Sequence, residues 1–122
     1  MTIEYLIKRL FDVQGYYLKD LKIYNKKVII ILDRNHQPDE YDRYWRRIRD
    51  CNWGEKEVYI EFPKLRYRAP NGIVRFEQLS FVGAYGRLTR RFEYYLAVLA
   101  QMMTPYQVAK HFGLDKKTVY RI

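Results

Sequence analysis

Apolar and polar residues alternate in two different ways along this chain. At the start, apolar residues recur every three or four positions, which predicts a short amphipathic helix that ends before Gly15. The pattern then changes to short runs rich in Tyr, Ile and Val, separated by turn signals, which predicts β-strands. The predicted strands span 16–24, 27–33, 43–50, 56–62, 64–68 and 73–77.

Turn-forming residues indicate how these strands are connected. The first two strands flank Asn25 and Lys26, which predicts a hairpin, and further turns are predicted at 52–54, at Pro63 and at 71–72. Because strands joined by short turns run antiparallel, the middle of the chain is predicted to be a small, mostly antiparallel β module.

Helical spacing returns after the last predicted strand. Thr89 is suited to cap a helix that continues to Met103, and its apolar positions form a single stripe. The stripe consists of Phe92, Tyr95, Leu96, Leu99 and Met103.

Residues 104–122 carry the signals of a helix-turn-helix. Thr104 is suited to cap a helix, with Gln107 three positions later, and Gly113 is expected to stop that helix. Asp115 can cap a second helix after the tight turn. The apolar residues that would pack the two helices together are Val108, Ala109, Phe112, Leu114, Val119 and Ile122.

These elements predict an α+β protein with a short N-terminal helix, a small antiparallel β module and C-terminal helices that form a helix-turn-helix. The predicted modules span 1–80 and 81–122. Two short amphipathic helices joined by glycine can also simply close a small core, so the motif alone does not decide the function.

Charge favours a nucleic-acid partner. The chain has 23 Lys and Arg against 14 Asp and Glu, a formal net charge of +9, and a pI near 9.7. An excess of this size in a small protein favours binding to polyanions, and with a helix-turn-helix it favours double-stranded DNA.

The candidate DNA-binding residues lie on the second helix of the motif and on basic segments before it. Lys116 and Lys117 are suited to phosphates, and Arg121 to a guanine edge. Alternation along the predicted strands and the entrance to the first C-terminal helix supply further cations. The full set is Lys116, Lys117, Tyr120, Arg121, Arg46, Arg47, Arg66, Arg68, Arg87, Arg90 and Arg91.

Other features bear on the compartment. The apolar runs fall short of the roughly 20 residues needed to cross a bilayer, and the N-terminus lacks the pattern of a signal peptide. The single Cys51 excludes an internal disulfide and fits a reducing environment, so a cytoplasmic protein is expected.

Several blocks of sequence, in order, resemble a bacterial insertion-sequence transposase group. The resemblance is carried by 46–50, 58–61, 66–72, 81–92 and 108–122. It implies an N-terminal zinc ribbon, then a helix-turn-helix, then a DDE nuclease domain with an RNase H-like fold. It also implies mobile-element ends as the DNA target and a transposase as a possible protein partner.

The zinc ligands that the resemblance implies are missing from this chain. The second Cys pair would fall at positions 69 and 72, which are Ala69 and Gly72, and the first would fall in the loop after Leu32, which has no Cys. A structural zinc needs about four nitrogen or sulfur ligands. We therefore predict no metal and no other cofactor, with the loop held by packing of the aromatic residues Tyr41, Tyr44 and Trp45.

The nuclease implied by the resemblance would lie beyond Ile122, so this chain is expected to lack it and not to be an enzyme. Asp39, Glu40 and Asp42 form an acidic cluster, but nearby arginines make a charge-paired turn the expected structure.

Two other functions stay open. A truncated transposase fragment without zinc can be re-used as a module that binds or inhibits a protein, because a basic face suits an acidic partner. The 13 Tyr residues, interleaved with Arg, are also compatible with stacking on single-stranded nucleic acid, although most are expected in the core or in cross-strand pairs.

Overall fold

The structure is a computed structural model, and it describes residues 15–84 and 86–120. Within these residues it is an α+β protein with a mixed five-stranded sheet followed by three short helices. The predicted N-terminal helix and the candidate residue Arg121 lie outside the described residues.

The sheet comes first along the chain and the helices follow. The strands are β1 (Tyr17–Ile23), β2 (Lys27–Asp33), β3 (Glu40–Trp53), β4 (Lys56–Arg68) and β5 (Val74–Phe76). The helices are α1 (Arg90–Leu99), α2 (Pro105–Phe112) and α3 (Lys116–Tyr120).

The sheet contains one parallel pairing that was not predicted. Its order is β1-β2-β4-β3, with β5 on β4, and the β1–β2, β3–β4 and β4–β5 pairs are antiparallel as expected. β2 and β4, however, run parallel, with Ile30 opposite Ile60. The prediction of a mostly antiparallel module is therefore confirmed for three of the four strand pairs that the structure describes, and the parallel pair joins the two hairpins.

Pro63 does not make the predicted turn, because β4 continues through it. The Tyr16 hydroxyl donates to the Pro63 carbonyl at 3.1 Å, on the edge of β4 between the part paired with β2 and the part paired with β5. The N–H that proline lacks would point to the same edge, so β4 keeps its pairing with β3.

The core of the sheet lies on one face. The residues Ile48, Ile60 and Phe62 alternate inward on β3 and β4 and pack against β2. The segment after β5 covers this face, where Phe81 lies edge-on to Phe62 with ring centroids 5.1 Å apart. Phe81 and Val82 thus belong to the sheet core, and the predicted domain boundary at 80/81 stays a prediction.

The loop between β2 and β3 is held by ionic contacts and not by aromatic packing, so that expectation was wrong. Tyr41, Tyr44 and Trp45 are each about half exposed. The Arg43 guanidinium instead donates to Glu40 at 2.8 Å and to the Arg34 carbonyl at 3.0 Å.

A second apolar cluster joins the three helices. Phe92 and Leu96 on α1 contact Val108 and Phe112 on α2 and Val119 on α3. Phe92 and Phe112 meet edge to face at 5.5 Å between centroids. Most of the predicted apolar positions of the helices are confirmed, but Tyr95 is 45% exposed and Ile122 lies outside the described residues. The helix α1 ends at Leu99, and a turn connects it to α2.

No helix among the described residues is long and apolar enough to cross a membrane. No group of three or more His, Cys, Asp or Glu side chains in this part of the chain could hold a metal ion. The absence of a metal from the whole protein stays a prediction.

Candidate nucleic-acid interface

The first helix of the motif begins at a complete capping box. The Gln107 N–H donates to the Thr104 hydroxyl at 3.1 Å, and the Thr104 N–H donates to the Gln107 side-chain oxygen at 2.9 Å. Pro105 occupies the first turn, where its missing N–H costs no hydrogen bond. The predicted start of α2 is confirmed.

The turn that follows also matches its prediction. Gly113 ends α2 with φ of 67°, a left-handed conformation that glycine adopts without steric cost. The Asp115 carboxylate accepts the Lys117 N–H at 3.0 Å and so caps α3. Two helices joined by a tight turn over a shared apolar cluster form a helix-turn-helix.

The outer surface of the motif carries cations beside aromatic rings. Lys116, Lys117 and Tyr120 are exposed on α3, whereas Val119 is buried against α2. The Lys116 ammonium lies 5.4 Å from the centre of the Tyr120 ring and 6.0 Å from that of Tyr106, at the start of α2. The motif therefore presents a basic and aromatic surface formed by both helices.

The sheet fastens the turn of this motif through Arg49. Its guanidinium is almost fully buried, donates to the Phe112 carbonyl at 2.6 Å, and lies 3.6 Å from the Glu57 carboxylate. Carbonyls at a helix C-terminus lack intrahelical donors and carry partial negative charge, so a buried cation stabilises this end of α2. Arg49 follows the candidate Arg47 by two residues on β3, but its burial assigns it a structural role.

A second set of contacts joins β3 to the start of α1. The Arg49 N–H donates to the Arg87 carbonyl at 3.0 Å, and the Thr89 N–H donates to the Arg49 carbonyl at 2.8 Å. The fully buried Asp50 carboxylate accepts the Thr89 hydroxyl at 2.6 Å and two donors from Arg91, at 2.6 and 3.0 Å. The cap of α1 is thereby fixed to the sheet.

Several of the candidate arginines are engaged by carboxylates. Arg47 pairs with Glu61, Arg66 with Asp42, and Arg91 with Asp50. The Arg66 guanidinium holds the pKa of the Asp42 carboxyl below its usual value, mainly by hydrogen bonding. These three cations contribute less net positive charge to the surface than their number suggests.

The other candidate cations are exposed. Arg46, Arg68, Arg87 and Arg90 form no ion pair with a carboxylate among the residues that the structure describes. Arg46 and Arg90 line one groove of about 480 Å³ together with Lys64. The structure therefore brings one cation each from β3, β4 and α1 to the same place.

These features define a helix-turn-helix protein whose turn is fastened to a β-sheet. Residues 77–122 match the family model described as the helix-turn-helix domain of transposase family ISL3. The match contains α1, α2 and α3, and it leaves all five strands outside. No curated protein and no solved structure matches the chain. The likeness to the helix-turn-helix region of a transposase is thus supported, while the implied zinc ribbon and nuclease are not tested.

Proposed function

We propose that the protein binds duplex DNA through its helix-turn-helix, with α3 in the major groove and mobile-element ends as the target. The observation that carries this proposal is the exposed face of α3, which presents Lys116, Lys117 and Tyr120. Lys116 lies beside the rings of Tyr120 and of Tyr106, which is on α2. A recognition helix needs such side chains because phosphates and base edges are read by cations and hydrogen-bonding groups. The match to a transposase helix-turn-helix domain supports the choice of target.

Net charge supports the same proposal. The formal charge of +9 attracts DNA over distances longer than a direct contact, and the four exposed arginines without a carboxylate partner among the described residues add phosphate contacts outside the motif. Arg121, proposed to read guanine, lies outside the described residues, and its role stays a prediction.

We also propose that the protein does not catalyse a reaction on DNA. The acidic cluster that could have held Mg²⁺ is taken up by arginines: Glu40 bonds Arg43, and Asp42 bonds Arg66. Carboxylates occupied in this way are poor ligands for a catalytic cation, which needs their oxygen atoms. Incubation with supercoiled plasmid and Mg²⁺ is expected to leave the plasmid uncut.

The first experiment is fluorescence anisotropy with labelled duplexes selected from a randomised pool, repeated across salt concentrations. The double variant Lys116→Gln, Lys117→Gln is expected to weaken binding to all duplexes and to lower the slope of log K against log salt by about 2, because about one counterion is released per phosphate contact. The control Lys22→Gln, Lys26→Gln removes two exposed lysines from the β1–β2 hairpin. It should behave nearly as the parent protein, and equal losses in both double variants would contradict recognition by α3.

A protein partner is the second candidate function, and one observation favours it. Tyr94 and Val98 lie one turn apart on α1, Met102 follows just beyond its end, and all three are exposed. Apolar surface of this kind often marks a protein contact. The test is capture of partners from a nuclease-treated lysate. Partners that the parent protein retains and the variant Tyr94→Ser, Val98→Ser loses would support the protein-binding function. Partners that nuclease treatment releases would be held through DNA.

A further inference from the structure

The sheet has an open half on the same face as its core. Because residues alternate along a strand, Lys64 and Arg66 project to the same side as Phe62 on β4. Tyr44 and Arg46 project to that side on β3. Phe81 and Val82 cover the face near Phe62, but the part farther along β4 is half exposed and pairs with β5.

Aromatic rings and cations alternate on this open half. The Arg66 guanidinium lies 5.0 Å from the centre of the Tyr44 ring and 5.6 Å from that of Phe76, and the two rings are 5.8 Å apart. Arg68 lies 5.0 Å from the centre of the Tyr41 ring. We call Tyr41, Tyr44, Phe76, Lys64, Arg66 and Arg68 the sheet patch.

The rings of the sheet patch remain accessible despite these contacts. Tyr41 is 51% exposed, Tyr44 is 48% exposed and Phe76 is 41% exposed. Three large rings close together at the surface leave apolar area that a partner can cover, and cations between them select a partner with negative charge.

Lys64 connects the sheet patch to the groove beside α1. Its ammonium lies 5.2 Å from the centre of the Phe76 ring, and it also lines the groove of about 480 Å³ with Arg46 and Arg90. Asp42 offsets the charge of Arg66, but Lys64, Arg68, Arg46 and Arg90 have no carboxylate partner within the described part of the chain. The rings are thus followed by a concave basic surface.

We infer that the sheet patch and this groove bind a single strand of DNA, with unpaired bases on the rings and phosphates at the cations. A ring can stack on a base only when the face of that base is free, and in a duplex the neighbouring pairs cover it. Rings flanked by a cationic groove fit this occupant, because every base offers a π-face and every nucleotide brings a phosphate. Arg90 lines this groove and is the first residue of α1, which is followed by the helix-turn-helix. We therefore expect the single strand to be part of the same DNA molecule that the helix-turn-helix binds.

The test uses the full chain and labelled oligothymidine of 15 nucleotides, which forms no duplex. The parent protein is expected to bind it, and Tyr44→Ala, Phe76→Ala is expected to weaken that binding at least about tenfold, the scale of base stacking. The matched control is Tyr17→Ala, Tyr24→Ala, which removes two exposed rings elsewhere and should leave the affinity unchanged. Circular dichroism and the melting temperature check that each variant is folded.

The two DNA surfaces can be separated by exchanging variants and ligands. Lys116→Gln, Lys117→Gln should lose duplex affinity and keep its affinity for oligothymidine, whereas Tyr44→Ala, Phe76→Ala should do the opposite. Failure of duplex binding alone would therefore remove the helix-turn-helix function and leave this inference standing.

Three results would overturn the inference. The first is equal affinity of the sheet-patch variant and the control for oligothymidine. The second is no binding of oligothymidine by the parent protein, which would leave the patch to a protein partner. The third is binding of oligouridine more than ten times tighter than that of oligothymidine, which would assign the surface to RNA.

Discussion

Arginines of the sheet differ in what their guanidinium groups contact. Arg43, Arg47 and Arg66 each face a carboxylate, and Arg49 is buried against a helix carbonyl. Arg46, in contrast, lies exposed at the groove. Arginines of the same sheet thus have two roles, because some stabilise the fold through ionic contacts and others present positive charge to solvent.

Strand alternation could predict part of this division and not the rest. It places Arg66 and Arg68 on the same face of β4 as Lys64, because the period-2 geometry of a strand is local. It could not predict that Asp42 neutralises Arg66, because that contact depends on the register between β3 and β4. Nor could it predict the burial of Arg49, which depends on where α2 ends.

The loop after β2 should weaken in acid because of Glu40. Hydrogen bonding to Arg43 lowers the pKa of this carboxyl from 4.5 to about 2. Since the folded-state pKa is the lower one, the stabilisation is fully present above pH 4.5 and is lost as the pH falls towards 2. Glu40→Gln is therefore expected to melt at a lower temperature at pH 6, with a deficit that shrinks as the pH approaches 2.

Thermal unfolding monitored by circular dichroism at several pH values checks this expectation. Glu55→Gln is the control, because Glu55 is exposed at the β3–β4 turn and its substitution removes the same charge as Glu40→Gln. A deficit of Glu40→Gln that stays constant from pH 6 to the acid limit would show that the ion pair with Arg43 does not stabilise the loop.

At the scale of elements, local signals were reliable and long-range ones were not. The caps at Thr89, Thr104 and Asp115 were predicted because a cap involves residues two or three positions apart. The parallel pairing of β2 with β4 was missed because turn residues determine only how neighbouring strands pair. The turn predicted at Pro63 was wrong because a strand can continue through proline where the missing N–H would face an edge without a hydrogen-bonded strand.

The turn of the helix-turn-helix should depend on the backbone freedom of Gly113. A Cβ at this position would meet the Glu57 carboxylate at 3.7 Å, an ordinary contact, so space is available. The φ of 67° is nonetheless unfavourable for a residue with a side chain, and Gly113→Ala is expected to cost about 1–2 kcal/mol of unfolding free energy. Urea denaturation is the measurement.

Gly113→Asn tests whether the loss of stability comes from the left-handed φ or from crowding by the added side chain. Asparagine enters the left-handed region more readily than alanine, so it should destabilise the protein less although its side chain is larger. If asparagine is as costly as alanine or worse, crowding near Glu57 and not φ governs the turn.

At the scale of the whole molecule, the sheet and the helical part are joined by polar groups. Arg49 contacts the end of α2, and Asp50 holds the cap of α1 together with Arg91. The hydrophobic pattern and the capping residues predicted an α+β protein with a helix-turn-helix. It could not predict that consecutive residues of β3 fix two different helices, since that requires the positions of both modules.

Arg49→Met should test this junction. The change leaves the Phe112 carbonyl without its charged donor, and the expected loss is about 2–3 kcal/mol of unfolding free energy, the scale of a hydrogen bond to a charged group. Duplex affinity should fall as well, because the turn before α3 is no longer fixed. Chemical denaturation and anisotropy measure the two effects.

Arg47→Met is the matched control, two residues earlier on the same strand. Arg47 pairs with Glu61 at the surface, where an ion pair contributes about 1 kcal/mol or less. Similar losses of unfolding free energy in the two variants would mean that the buried contacts of Arg49 add no stability beyond that of a surface ion pair.

The parallel pairing of β2 with β4 also bears on the order in which the sheet forms. Each hairpin closes a short turn, whereas Ile30 reaches Ile60 only after a much longer stretch of chain has been brought together. Closing the longer loop costs more entropy, and the two hairpins supply the surfaces that compensate for it. We therefore expect the hairpins to form early and their side-by-side docking to complete the sheet. Because Arg49 lies on β3, the β3–β4 hairpin also provides the side chain that binds the C-terminal end of α2.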